Sequence, residues 1–189
     1  MMKRDECFAV LARHCPDDIV VAVYSSAFDW VRIRPHALNY FAVGAMGLAS
    51  SHGLGLALGQ PGRKIIVLDG DGSLLMNLGS LVTVAAAAPR NFYHFVCENG
   101  TYEANGSHPI PARDKVDFSG LARAAGYPTV RQFDELDSFE RAVAGVLAEP
   151  GPVFVDLKLV PGEPAPADFD SLYAPSRRDA FRQALGLQR

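Results

Sequence analysis

The stretch "VLDGDGSLLMNLGSL", residues 67–81, places Asp71 between two glycines, where an apolar run ends and a helical pattern begins. The apolar run, "KIIVL" from Lys64, is continuous rather than alternating, which is typical of a strand covered on both faces. Ser73 stands where the N-cap of the following helix is expected. The stretch therefore predicts a buried strand, a tight turn and a helix.

The remainder of the chain repeats this alternation of strand and helix. Further strand-like runs are "IVVAVY" from Ile19, "YFAV" from Tyr40, "FYHFV" from Phe92 and "VFVDLKL" from Val153. Helical patterns are "GLASSHGLGLALG", "DFSGLARAAG" ending on Gly126, and "DSFERAVAGVLAE" opening with Asp137. The pattern predicts a three-layer, doubly wound α/β fold with a mostly parallel sheet and helices on both faces.

The composition changes after Val160, which predicts a boundary between residues 1–160, an α/β domain, and residues 161–189. The second segment begins with the proline-rich connector "PGEPAPADFDSLYAPS" and ends with "SRRDAFRQALG", a short C-terminal helix with Ser176 and Gly186 as caps. Two interpretations of this tail stay open. It lies across its own domain, or it is an arm that contacts another subunit.

Composition and charge exclude several classes of protein. With 189 residues, 49% of them hydrophobic, the chain can bury a proper core, so disorder is excluded. A net charge of −3 with scattered Lys and Arg gives no surface for nucleic acid. No apolar run approaches the roughly 18 residues that a membrane-spanning helix needs. The three cysteines follow no disulfide or metal pattern, so we expect a cytoplasmic protein whose partner is a small molecule or another protein.

Asp71 lies where parallel α/β sheets bind ligands, beyond the carboxyl end of a strand. Gly70 and Gly72 allow a sharp turn and a close approach of a ligand, and the helix start near Ser73 offers donors to a phosphate. A carboxylate beside a phosphate needs a cation between them, so Asp71 is a candidate Mg²⁺ or Ca²⁺ ligand. From this stretch alone, a simple tight turn is the alternative. Asn99, 28 residues further on, follows the next strand and offers a second oxygen ligand.

The sequence "GDGS", followed 28 residues later by Asn99 in "ENGTY", closely resembles the diphosphate-binding motif of thiamine-diphosphate enzymes. The resemblance implies that Asp71, Asn99 and the main-chain carbonyl of Thr101 bind Mg²⁺, which holds the diphosphate of thiamine diphosphate. The family usually has Asn where this chain has Glu98, but its metal ligand is the residue that follows. The residues that the resemblance assigns to the cofactor around the metal are Gly70, Gly72, Ser73, Asn99 and Thr101.

A second motif, "AVGAMGLASSHGLGLAL" from Ala42, is similar to the Gly-x-bulky-Gly loop of the same family. The resemblance implies that the carbonyl of Gly44 accepts a hydrogen bond from the aminopyrimidine amine of the cofactor. It also implies that Met46 is the apolar wedge that holds the cofactor bent. Taken alone, a methionine such as Met46 is more often an ordinary core side chain.

Enzymes of this family also need a pyrimidine-binding domain, whose glutamate activates the cofactor, and this chain is too short to contain one. None of its glutamates stands in a comparable motif. We therefore expect a hetero-oligomer with a pyrimidine-binding partner subunit, while a homodimer of the isolated chain is left open. Within the family, "GAMGLASSHGLGLAL" and "DGDGSLLMNLGSL" are most similar to the β subunit of sulfopyruvate decarboxylase and the matching part of phosphonopyruvate decarboxylase.

The loop after the metal ligands carries the candidate catalytic residues. Asn105 lies six residues after Asn99, where several decarboxylases of the family have an acidic group. An amide can hydrogen-bond a substrate carboxylate or carbonyl but cannot donate a proton as a general acid. Glu103 and His108 are the nearby alternatives, and each is also consistent with a solvated loop residue.

The resemblance implies a thiamine-diphosphate- and Mg²⁺-binding subunit of a decarboxylase that acts on a small 2-oxo acid. Two other functions stay open. One is a subunit of a carboligase related to acetolactate synthase, and the other is a thiamine-diphosphate-binding protein without catalysis.

Overall fold

The computed structural model of the chain describes residues 1–42, 44, 46–162 and 168–187. In chain order the strands are β1 (Ile19–Ala22), β2 (Asn39–Phe41), β3 (Ile65–Gly70), β4 (Phe92–Glu98), β5 (Thr101–Tyr102), β6 (His108–Pro109), β7 (Thr129–Phe133) and β8 (Val153–Lys158). The helices are α1 (Arg4–Ala12), α2 (Tyr24–Ile33), α3 (Ala49–Gly59), α4 (Asp71–Leu75), α5 (Gly79–Ala87), α6 (Phe118–Ala125), α7 (Leu136–Val146), α8 (Phe169–Tyr173) and α9 (Pro175–Ala184).

Six strands form one parallel sheet in the order β2-β1-β3-β4-β8-β7, and β5 pairs with β6 in a small antiparallel sheet. The central strands β3 and β4 are buried along nearly their whole length, which explains their continuous apolar sequences. One hydrophobic core lies between the sheet and α1, α2 and α7, and a second lies between the sheet and α3, α5 and α6. The expected three-layer α/β fold is confirmed.

The helix expected to begin with Ser73 as its N-cap has a different start in the structure and is divided into α4 and α5. The N-cap is Gly70, α4 begins at Asp71, and the Asp71 carboxylate accepts a hydrogen bond from the N–H of Gly72. The chain leaves the helix after Leu75, passes through short turns with i→i−3 hydrogen bonds, and resumes as α5 at Gly79. Ser73 is therefore inside α4, where its hydroxyl is available to a neighbouring loop.

Other boundaries also differ from expectation. Asp137 lies inside the first turn of α7, whose N-cap is Glu135, and Ser176 lies inside α9, which begins with Pro175. Proline fits the first helical position because its fixed φ suits the helix and no N–H is needed there. The end of α6 on Gly126 is confirmed, since Gly126 adopts φ +103 at its C-cap.

Helices α1 and α2 and strand β7 were not anticipated from the sequence. The strand-like run from Ile19 ends at Ala22, and the residues after it begin α2 at Tyr24. The edge strand β7 has exposed Arg131 and Gln132 at its centre, so it lacks the apolar character of the other strands.

The C-terminal helices α8 and α9 pack back on the sheet domain. Leu172 joins the core on the α1 and α2 side, whereas Phe181 joins the opposite core and contacts the ring of Tyr40. The domain boundary at residue 160 stays a prediction, and residues 163–167 of the connector lie outside the described residues. Across the residues that are described, no helix has the length and apolar character needed to cross a membrane.

Candidate cofactor and metal site

The candidate site lies at the topological switch point of the sheet. From β1 the chain moves outward to β2 and then returns to place β3 on the other side of β1. The carboxyl ends of β1 and β3 therefore diverge into loops on opposite sides, which leaves a crevice between them. The sequence predicted a ligand site at the end of β3, and the topology places the crevice at that position.

A pocket with about 410 Å³ of empty space, open to solvent, occupies this crevice. Its walls are residues 23–26 after β1, residues 70–73 after β3 and, after β4, Asn99 and residues 101–104. Met46 also lines the pocket. The loops of three adjacent parallel strands thus converge on one open cavity.

Asp71 lies at the base of this pocket and is 1% exposed. Its Oδ1 accepts a hydrogen bond from the N–H of Gly72 at 2.7 Å. Its Oδ2 accepts from the N–H groups of Asn99 and Gly100, at 3.0 and 2.6 Å. The carboxylate therefore ties the end of β3 to the loop that follows β4, and its orientation is fixed by three backbone donors.

Burial raises the pKa of Asp71 to about 6, although the three N–H donors oppose that rise, and the Glu98 carboxylate adds to it. Within the described ranges, no ion pair joins Asp71 to a basic side chain. A buried carboxylate without a cationic partner is costly, and a bound cation would balance its charge. The site therefore fits a cation.

The other two predicted metal ligands lie beside Asp71. Asn99 and Thr101 are 8% exposed, and both line the pocket. The Oδ1 of Asn99 accepts hydrogen bonds from the N–H of Thr101 at 2.8 Å and from its hydroxyl at 3.1 Å. A carboxylate, an amide oxygen and a carbonyl are hard oxygen ligands of the kind that Mg²⁺ takes. No group of three or more His, Cys, Asp or Glu side chains that could hold a metal occurs in the described part of the chain.

Gly70, Gly72 and Ser73 form the wall of the pocket next to Asp71. A Cβ on Gly72 would lie 2.5 Å from the ring of Tyr102, so this glycine allows the two loops to approach each other closely. The hydroxyl of Ser73 accepts a hydrogen bond from the N–H of Gly47 at 3.0 Å. Ser73 thus joins the first predicted motif to the second.

The two residues predicted from the second motif have different positions. Met46 is partly buried and lines the pocket, as a wedge against a ligand would. Gly44 is exposed, adopts φ +95 and is outside the pocket lining. The hydroxyl of Tyr173 lies 2.6 Å from the position that a Cβ on Gly44 would take, so the C-terminal tail covers this loop.

Of the three candidate catalytic residues, the structure brings only Glu103 into the pocket. Glu103 forms an ion pair with the guanidinium of Arg4, and its other oxygen accepts from the N–H of Gly162 at 2.8 Å. Arg4 also pairs with Asp29 at 2.7 Å. Burial lowers the pKa of Arg4, but the nearby anionic groups, chiefly Glu103, raise it above its ordinary value, so Arg4 stays charged. Glu103 therefore links its loop to α1 through Arg4, and Arg4 in turn links α1 to α2 through Asp29.

Asn105 and His108 are exposed and lie outside the pocket lining. Asn105 belongs to a 3₁₀ turn at Glu103–Asn105, and His108 belongs to β6 of the small antiparallel sheet. This turn lies beside the pocket mouth, because Ala104 still lines the pocket. The catalytic roles of Asn105 and His108 stay predictions.

The loop after β1 contributes residues to the pocket that were not predicted from the sequence. Tyr24, Ser25 and Ser26 line the pocket at the start of α2, whose first turn has no side-chain cap and so leaves backbone N–H groups available. Tyr24 adopts φ +39, a strained conformation for a residue with a side chain, of the kind that clusters at functional sites. The signal was Ser25, three residues after the end of the buried strand β1, because Ser73 lies at the same distance from the end of β3.

The fold, the crevice and the ligand set define the class of the protein. Residues 21–157 match the family described as thiamine pyrophosphate enzyme, C-terminal TPP binding domain. The chain belongs to this family, and the resemblance read from the two motifs is confirmed.

Among particular relatives, the chain is 39% identical to sulfopyruvate decarboxylase subunit beta of Methanothermobacter thermautotrophicus, over 86% of this chain and 84% of that protein. It is 44% identical to phosphonopyruvate decarboxylase of Streptomyces hygroscopicus, over 66% of this chain. The match spans only 30% of the latter protein. A further relative, 35% identical over 68% of this chain and 68% of that protein, is the sulfopyruvate decarboxylase subunit beta of Methanocaldococcus jannaschii.

A solved structure with the same fold is the thiamine diphosphate-dependent 4-hydroxybenzoylformate decarboxylase of Rhodococcus jostii RHA1. Its TM-score is 0.69 at 23% identity, over 85% of this chain and 33% of that one. At this level of identity the likeness concerns the fold alone. It supports the assignment of the six-stranded sheet to the fold of this enzyme class.

Proposed function

We propose that the chain is the thiamine-diphosphate- and Mg²⁺-binding subunit of a decarboxylase acting on 2-oxo acids of the sulfopyruvate or phosphonopyruvate type. The observation that carries this proposal is the convergence of Asp71, Asn99 and Thr101 on one pocket at the switch point of the sheet. The names of the two relatives support the reaction and the substrate class.

In this proposal the residues of the chain bind and orient the cofactor. Asp71, the amide oxygen of Asn99 and the carbonyl of Thr101 hold Mg²⁺. The backbone N–H groups at the start of α2, with the hydroxyl of Ser25, face the phosphate oxygens. The Ser26 hydroxyl donates to the Sγ of Cys97 at 3.8 Å. When bound, thiamine diphosphate supplies the carbon nucleophile and the electron sink that decarboxylation of a 2-oxo acid requires.

The need for a partner subunit is supported by the state of the glutamates nearest the pocket. Glu103 is paired with Arg4, and Glu98 is paired with Lys158. A carboxylate held in such a pair is not free to activate the cofactor. Glu163 lies outside the described residues. The activating glutamate therefore comes from a second subunit that carries the pyrimidine-binding domain, as the relatives named beta subunits suggest.

The proposal is tested by measuring CO₂ release from sulfopyruvate, phosphonopyruvate and pyruvate by the chain alone and by the chain mixed with a pyrimidine-domain subunit. We expect turnover only in the mixture, with cofactor and Mg²⁺ present. Asp71→Asn should abolish it, because the metal ligand loses its charge. Asp117→Asn is the matched control, since the Asp117 carboxylate caps α6 through the N–H of Gly120, outside the pocket lining.

The alternatives give other results in the same assay. CO₂ release accompanied by a new carbon–carbon bond would show a carboligase. Cofactor binding without turnover in any pairing would show a non-catalytic binding protein. Turnover by the chain alone at the rate of the mixture would contradict the need for a partner.

A further inference from the structure

Hydrogen bonds join the two sequence motifs of the site, and two of them belong to one residue, Gly47. Its N–H donates to the hydroxyl of Ser73 at 3.0 Å, and its carbonyl accepts from the side-chain amide of Asn77 at 2.7 Å. These partners are 26 and 30 residues away in sequence, so the contacts form only when the two motifs are folded together. Both polar groups of one residue are thus held by α4 and the turn that follows it.

Packing restrains the same residue. Gly47 adopts φ +84, and a Cβ at this position would lie 3.2 Å from the Cβ atoms of Met76 and Asn77. The backbone therefore approaches the turn after α4 more closely than a residue with a side chain could. The position of Gly47 is determined by two hydrogen bonds and by close contact.

Met46 directly precedes Gly47 and lines the pocket. The N–H of Gly47 lies in the peptide unit that joins it to Met46 and is held by Ser73, whereas Asn77 holds the carbonyl of the next unit, Gly47–Leu48. Together the two contacts fix the backbone on both sides of the Gly47 Cα and so restrict the path of the chain that carries Met46. Asn77 itself is outside the pocket lining and touches Gly47 and Ser51. Through its bond to Gly47, the Asn77 side chain can act on the Met46 segment of the pocket lining.

We propose that Asn77 is a positioning residue that holds Met46 in place for the thiamine half of the cofactor. The inference rests on the proposed function, because it assigns Asn77 to the same site. Without the Asn77 contact, the loop must be ordered when the cofactor binds, and part of the binding free energy is lost to that ordering. A ligand that fills only the diphosphate region does not touch Met46 and should be insensitive to Asn77.

The test compares two ligands, thiamine diphosphate and inorganic diphosphate, each titrated with Mg²⁺ into the full chain with its partner subunit. Asn77→Asp keeps the size of the side chain but removes the N–H donor, and Asn77→Ala removes the whole amide. We expect both variants to raise the Kd of thiamine diphosphate about tenfold, in line with the loss of one hydrogen bond. The Kd of inorganic diphosphate should stay within about twofold. Amide hydrogen exchange of the 44–48 segment should be faster in both variants without ligand.

The matched control is Asn91→Ala. The side-chain amide of Asn91 donates to the carbonyls of Ala57, Gln60 and Arg63. Asn91 directly precedes β4, so it lies at the amino ends of the strands, whereas the pocket lies at their carboxyl ends. This variant should lower the melting temperature without changing the ratio of the two Kd values.

Two results would overturn the inference, and they are distinguishable from failure of the proposed function. The inference fails if the wild type binds thiamine diphosphate but the Asn77 variants raise the Kd values of both ligands equally, or of neither. Asn77 is then a structural residue. If the wild type binds inorganic diphosphate but no thiamine diphosphate, the proposed function fails, and the role of Asn77 toward the cofactor fails with it.

Discussion

Replacing Gly72 with Ala should push apart the two loops that carry the proposed metal ligands. The added Cβ would lie 2.5 Å from both Cδ1 and Cε1 of Tyr102 and 3.3 Å from Cγ2 of Ile110. Carbon atoms in contact are normally about 3.5–4.0 Å apart, so the Tyr102 ring must move by about 1 Å. Gly72 does not have a positive φ, so alanine is conformationally allowed and only the contact opposes it.

Overpacking of this kind lowers the free energy of unfolding by about 1–3 kcal/mol. For a chain of this length, that lowers the melting temperature by roughly 5 °C. Movement of Tyr102 also displaces Thr101 and Asn99, so the affinity for Mg²⁺-diphosphate should fall. Thermal denaturation followed by circular dichroism measures the first effect, and calorimetric titration measures the second.

Truncation of the ring tests the cause. Tyr102→Ala removes the atoms that the new Cβ meets, so the double variant should be as stable as Tyr102→Ala alone, within about 0.5 kcal/mol. A single Gly72→Ala variant with wild-type stability and affinity would refute the reasoning. The reasoning would also be refuted if the double variant were less stable than Tyr102→Ala by the full free energy of unfolding that Gly72→Ala loses in the wild type.

Three further perturbations test other parts of the structure. Gly53→Ala should be destabilising, because its Cβ would lie 2.4 Å from the Val67 side chain, whereas Gly55→Ala in the same helix meets nothing within 4 Å. The second variant should therefore be about 1 kcal/mol more stable than wild type, and thermal denaturation compares the two. Arg4→Ala leaves the Glu103 carboxylate without its ion-pair partner and leaves Asp29 with Arg32 alone, and urea denaturation should report a loss of about 3–5 kcal/mol. Burial raises the pKa of Asp156 above its ordinary value, and the neighbouring carboxylate adds to this, while the nearby lysine opposes it. The folded state then binds this proton more tightly than the unfolded state, so the free energy of unfolding should fall as the pH rises from about 4 toward 7. Asp156→Asn should flatten that dependence, and an unchanged slope in urea denaturation would contradict the assignment.

The sequence predicted those parts of the site that depend on local pattern. A strand end that can hold a ligand is predicted by the apolar run of β3, the two glycines and Asp71. Asn99, after β4, predicts the neighbouring strand end. Parallel strands bring such ends together by geometry alone. The fold class follows from the same alternation of strand and helix.

What the sequence did not predict depends on contacts between distant residues. The helix after Asp71 breaks near Asn77, whose side chain is bonded to the carbonyl of Gly47, 30 residues earlier. Glu103 was a candidate acid because its loop is near the metal ligands, but Arg4, 99 residues away, holds it in an ion pair. No local pattern reports such partners.

The measurement that tests the central claim most directly is calorimetric titration of inorganic diphosphate into the chain, with and without Mg²⁺, for wild type, Asp71→Asn and the control Asp117→Asn. Inorganic diphosphate is the suitable probe because every group proposed to hold it belongs to this chain. The account predicts binding that requires Mg²⁺, is weakened at least about tenfold by Asp71→Asn, and is unchanged in the control. Binding that does not depend on Mg²⁺, or that is equally tight in Asp71→Asn, would contradict the account.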